Sequence, residues 1–146
     1  MLSVVLTLAG CGGGQPAEPL LLSDPFKISV AFITEEQLEN YKKAEIFIQD
    51  EEAPSLLILP AEALEKVTVC AIAYDADTEA YREESSLYSV SGISPDRPLI
   101  LRSYLYDLPT LGVRYTDESG AEQFTGIGES QMDGSLYLFE IGPSKR

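Results

Sequence analysis

Few side chains in this sequence stand at spacings that could do chemistry. Asp75, Asp77 and Glu79 in YDADTEA have the alternate spacing with which a calcium loop opens. An EF-hand loop counted from Asp75 needs glycine at its sixth position and glutamate at its twelfth. Ala80 and Ser86 stand there, so the triplet reads as a solvated acidic loop, and no metal ligand is assigned. Glu83-Glu84 and Asp117-Glu118 are carboxylate pairs of the kind that hydrolyse glycosides. Neighbours on a strand point to opposite faces, however, so neither pair flanks one bond by default. Cys70 could be a nucleophile, but a thiolate needs a base and the sequence holds no histidine. Its neighbours Val69, Ala71 and Ile72 predict a buried, inert thiol. Gly126-Ile127-Gly128 lacks the Gly-Lys-Ser/Thr of a phosphate loop. No catalytic residue and no cofactor is assigned.

The aromatic residues offer a binding surface instead. Alternation along one strand puts Arg102, Tyr104 and Tyr106 on a common face, with Tyr115 on the strand that follows. An exposed Tyr–Arg face could stack sugars or hold a protein partner. The same pattern also suits a half-buried cross-strand ladder whose role is stability, and that account is favoured.

The opening residues, MLSVVLTLAGCGGG, form an apolar run that ends in small residues. The run is too short to span a bilayer, which takes about 20 residues. Leu8-Ala9-Gly10-Cys11 resembles the lipobox of bacterial lipoproteins at all four positions. The resemblance implies that residues 1–10 are a signal peptide removed before Cys11, whose thiol carries a diacylglyceryl group. Attachment by lipid to the extracytoplasmic face of a cell membrane follows, since two acyl chains anchor a protein stably. No Lys or Arg precedes the run, unlike a usual signal, which suggests that the true start lies upstream of Met1. The alternative is a buried N-terminal strand in which Cys11 is an ordinary thiol. From about residue 97 onward the sequence is similar to a pattern in small surface lipoproteins of Gram-positive type. A Pro-containing turn precedes Leu-Gly-Val-Arg-Tyr-Thr-Asp at 111–117, and a hairpin closes near Asp133-Gly134. That likeness implies no catalytic residue.

Charge narrows the partners. The chain has 146 residues, 10 basic and 24 acidic side chains, and a net charge of −14. All of the charged side chains follow Cys11. Such a surface repels phosphates, so nucleic acid is excluded as a partner, and a protein or glycan is left beside the membrane anchor. The absence of histidine excludes imidazole triads and His-ligated zinc.

The elements that must position these residues read as strands. Residues 12–19 form a Gly- and Pro-containing tether, and 20–146 a single domain. Strands are predicted over 26–33, 44–49, 55–59, 66–75, 87–93, 99–106, 111–116, 122–127 and 135–141. Thr34-Glu35-Glu36-Gln37 has capping-box spacing and predicts a helix over 35–42. Helical turns are predicted at 61–65 and 78–84. Many short strands divided by Pro, Asp and Gly turns predict a mainly β fold, a two-sheet immunoglobulin-like β-sandwich with one or two short helices. An α+β domain with 35–43 packed across one antiparallel sheet is the alternative.

Overall fold

A computed structural model of the chain describes residues 26–106 and 108–142. Cys11 and the residues predicted to be signal peptide and tether lie outside the described residues.

The first strand among the described residues, β1 (Ile28–Ile33), forms because its apolar residues alternate. Ile28 and Val30 are buried, and Phe32 packs against the same core. Thr34 ends it and caps α1 (Glu35–Leu38). Thr34 Oγ1 accepts from the Gln37 N–H, and the Gln37 side chain accepts from the Thr34 N–H. The helix is one turn long, not the two predicted. A turn at Leu38–Tyr41 breaks it, so Lys42 and Lys43 lie outside its last turn.

Four further elements follow: β2 (Glu45–Ile48), β3 (Ser55–Pro60), β4 (Leu64–Asp75) and β5 (Ala80–Ile93). They are followed by β6 (Leu99–Arg102), β7 (Leu111–Thr116), β8 (Glu122–Glu129) and β9 (Leu136–Glu140). The strands make two sheets. One has the order β1-β3-β6-β2, in which β2 runs parallel to β6. The other has the order β9-β8-β7-β4-β5 and is antiparallel throughout.

One apolar cluster joins the two sheets face to face. Val30, Leu56, Ile58 and Leu101 come from the smaller sheet, and Val67, Val69, Val113 and Ile127 from the larger. Burying each such side chain stabilises the fold by about 1.5–3 kcal/mol. The fold is therefore mainly β, built on two packed sheets, and the α+β alternative is set aside.

Neither of the two predicted helical turns forms. Residues 61–62 are bends, and β4 already starts at Leu64. Residues 76–86 belong to a long β4–β5 hairpin, whose tip runs from Asp75 to Ala80. Asp75 makes that turn: its carbonyl accepts from the Glu79 N–H and its carboxylate from the Asp77 N–H. Register shifts leave Glu84 and Leu87 of β5 with no partner on β4, which bends the hairpin.

Candidate functional site

The larger sheet carries a second, smaller packed layer on its outer face. Gly112 of β7 and Gly126 and Gly128 of β8 leave that face bare of side chains. Phe124 and Ile72 lie over Gly112, and aromatic rings of β9 fill the space over Gly126 and Gly128. A Cβ on Gly126 would run into the Phe139 ring, and one on Gly128 into that of Tyr137. Only glycine allows rings to lie this close to a strand backbone, an arrangement that offsets the weak strand preference of glycine.

The bent hairpin brings two more rings. Tyr74 of β4 meets Tyr81 of β5 edge-on at 5.3 Å between centroids. Tyr81 meets Phe139 at 5.1 Å, and Phe139 meets Tyr137 at 6.2 Å. The result is a continuous row of four rings. Each adjacent pair at such distances contributes about 0.5–1.5 kcal/mol beyond its buried area.

Beside the row lies a partly buried polar group. Arg114 of β7 forms an ion pair with Glu83 of β5. Its guanidinium also approaches the Cys70 Sγ at 3.4 Å and stands 5.8 Å from the Phe124 ring centre. Cys70 is fully buried. Burial, and then the Glu83 charge, push its thiol up to about 11, against an opposing pull from Arg114. The thiol is therefore protonated at neutral pH and is no nucleophile.

No family model, curated protein or solved structure matches the chain.

The predicted Tyr–Arg face is only partly assembled. Tyr115 does not belong to it. That side chain is 1% exposed and sits in the core between the sheets, where its hydroxyl accepts from the Lys27 N–H at 3.2 Å. The inward positions of β7 are Leu111, Val113 and Tyr115, so the alternation that buries the first two buries the third. Burial raises the Tyr115 pKa, and the Lys27 N–H acts against that rise. Arg102 closes β6, where its guanidinium pairs with Glu35 of α1 and donates to the Glu51 carbonyl at 3.1 Å. Tyr104 and Tyr106 lie beyond the strand, since β6 ends at Arg102 and not at residue 106. Alternation survives without ladder pairing: Ser103 and Leu105 are buried, and Tyr104 and Tyr106 are exposed.

The carboxylate pairs separate as strand geometry requires. Glu83 turns to Arg114, and Glu84 is solvent-exposed. Asp117 holds the β7–β8 turn: its carboxylate accepts from the Ser119 hydroxyl and from the N–H groups of Ser119 and Ala121. Those bonds, that of Ser119 foremost, hold its pKa down to about 2. Asp75 is likewise committed, to Arg82 and to its own turn. Among the described residues, no group of three or more Cys, Asp or Glu stands where it could hold a metal ion.

The row of four rings had no legible signal. Its members come from positions 74, 81, 137 and 139, and only the glycines at alternate positions 126 and 128 hinted at a covering ring.

Proposed function

We propose that the chain is a non-enzymatic binding module held at the extracytoplasmic face of a cell membrane by lipid on Cys11. The observation that carries the tether is Leu8-Ala9-Gly10-Cys11, followed by glycines and prolines before β1 begins at Ile28. The resemblance to small surface lipoproteins supports the same reading. Two acyl chains would supply the attachment, because the acidic body is repelled by anionic headgroups. No helix among the described residues is long and apolar enough to cross a membrane.

A binding role draws support from how the ionisable side chains are used. Glu83, Asp75 and Asp117 are engaged in ion pairs and turns, while Tyr104 and Tyr106 present their rings to solvent. Those two exposed tyrosines favour a second, more specific reading, a glycan or wall-polymer ligand stacked on aromatic faces. An immunoglobulin-like connectivity belongs to the same proposal. Two packed sheets support it, and the parallel β2–β6 pair would make it a variant of the usual arrangement.

Mass analysis of membrane fractions tests the tether. Wild type is expected in the membrane with the added mass of lipid on Cys11, and Cys11→Ala is expected released and unmodified. Equal release of both, without lipid, overturns it. A glycan array probed with wild type, Tyr104→Ala and Tyr106→Ala tests the second reading. Binding by wild type that either substitution weakens supports it, and no binding by wild type removes it.

A further inference from the structure

The outer face of the smaller sheet carries an apolar groove beside an open strand edge. The groove has a volume of about 290 Å³. Ile100 of β6 forms part of its lining, with Ile46 and Ile48 of β2 and Leu38 of α1. Ile46 and Ile48 are 51% and 47% exposed, high values for isoleucine in a strand.

Among the described residues, the backbone beside them is open as well. β2 is an edge strand, and among the described residues β6 is its only neighbour. The N–H groups of Glu45 and Gln49 donate inward, to the carbonyls of Pro98 and Arg102. Strand alternation therefore turns the N–H and C=O of Ile46 and Ile48 outward, away from β6. An edge that pairs outward hydrogen-bonding groups with apolar side chains is a template for one more strand.

The charge around the groove selects the occupant. Glu35, Glu36 and Glu39 lie on and just after α1, and Asp50, Glu51 and Glu52 lie in the turn after β2. Arg102 is paired with Glu35 and Lys42 with Glu39. Glu36, Asp50, Glu51 and Glu52 keep no ion-pair partner among the described residues. A second copy of this chain would bring the same carboxylates against them, at a net charge of −14 per copy.

We propose that β2 is a docking edge for an extended peptide of a partner protein, apolar at alternate positions and flanked by Lys or Arg. The peptide pairs with the outward groups of Ile46 and Ile48. Its apolar side chains enter the groove at Ile100, and its cations meet the acidic rim. This site is independent of the lipid at Cys11 and of the tyrosines.

The test uses the full chain and a labelled peptide with an alternating Val-Thr centre and lysines at both ends. Its twin carries glutamates at the ends. Fluorescence anisotropy is expected to show the lysine-ended probe binding at least about tenfold more tightly than its twin. Amide exchange at Ile46 and Ile48 is expected to slow on binding. Ile46→Pro removes one outward N–H and no inward bond, and is expected to weaken binding by about tenfold or more. Ile46→Ser with Ile48→Ser serves if the proline variant does not fold, with the same expected loss. No binding by wild type overturns the proposal, as does equal binding by folded variants. A concentration-dependent dimer that Ile46→Pro abolishes would assign the edge to a second copy and overturn it too.

Discussion

The Tyr81 and Phe139 rings stand 5.1 Å apart, although their strands, β5 and β9, are the two opposite edges of the five-stranded sheet. Flat strands would separate those edges by four inter-strand spacings of about 4.8 Å each. The contact exists because the β4–β5 hairpin bends at its register shifts and lies over the outer face of its own sheet. Cys70 is buried there beside Glu83 and Arg114, while the β9 rings Phe139 and Tyr137 cover Gly126 and Gly128.

The glycine–aromatic pairing predicts a particular non-additivity. Phe139→Ala is expected to cost about 2–3 kcal/mol, since it uncovers Gly126 and parts Tyr81 from Tyr137. Gly126→Ala is expected to cost about 1–3 kcal/mol by pushing into the ring. The double variant should cost less than the sum by about 1 kcal/mol, because the added methyl then fills the space the ring left. Urea denaturation of the four proteins measures this, and strict additivity would refute the pairing.

Cys70 should behave as a buried thiol in two measurements. Ellman's reagent is expected to label it only as fast as the protein opens, with a large acceleration in urea. Its folded pKa, about 11, lies above the ordinary value of 9.0. The folded state thus favours the protonated thiol. That contribution is full below pH 9 and is lost as pH rises towards 11. Stability measured against pH should accordingly fall more steeply over that window for wild type than for Cys70→Ala.

Asp117 gives the opposite slope. Its folded pKa of about 2 lies below the ordinary 3.8, so its contribution is present above pH 3.8 and is lost as pH falls towards 2. Asp117→Ala should lower the melting temperature by several degrees at pH 7. The gap from wild type should close between pH 4 and pH 2. A gap that stays constant would mean that the carboxylate charge is not what holds the turn.

Glu79 sits at φ 57° in the β4–β5 turn, a left-handed conformation that suits glycine better. Glu79→Gly is expected to stabilise the chain by about 0.5 kcal/mol, even though glycine loosens the unfolded state. Thermal melts of Glu79→Gly and Thr78→Gly form the comparison, and the second should destabilise.

Local pattern was legible where burial alone decides it. β7 occupies Leu111–Thr116 as its alternation predicts, and the Thr34–Gln37 capping box forms as its spacing predicts. The first half of β5 was hidden because Arg82, Glu83, Glu84, Ser85 and Ser86 form no apolar face. A strand held by a long hairpin ladder does not need one. Tyr104 and Tyr106 misled in the opposite sense, since they keep strand alternation beyond the end of the β6 ladder. Tyr115 was misplaced because a large ring with a hydroxyl reads as an interface residue until its inward partner, the Lys27 N–H, is known. The ring row and the β2 edge depend on which strands become neighbours, and no spacing in the chain records that.

The parallel pairing of β2 with β6 also orders events in time. During synthesis β2 emerges well before its partner, since β3, β4 and β5 must be made before β6 exists. Closing so long a loop is entropically slow, so β2 is expected to be the last strand of its sheet to seat. Until then Phe47, whose ring packs against the core in the finished fold, is available to chaperones in the nascent chain, and a stalled ribosome would hold it in that state.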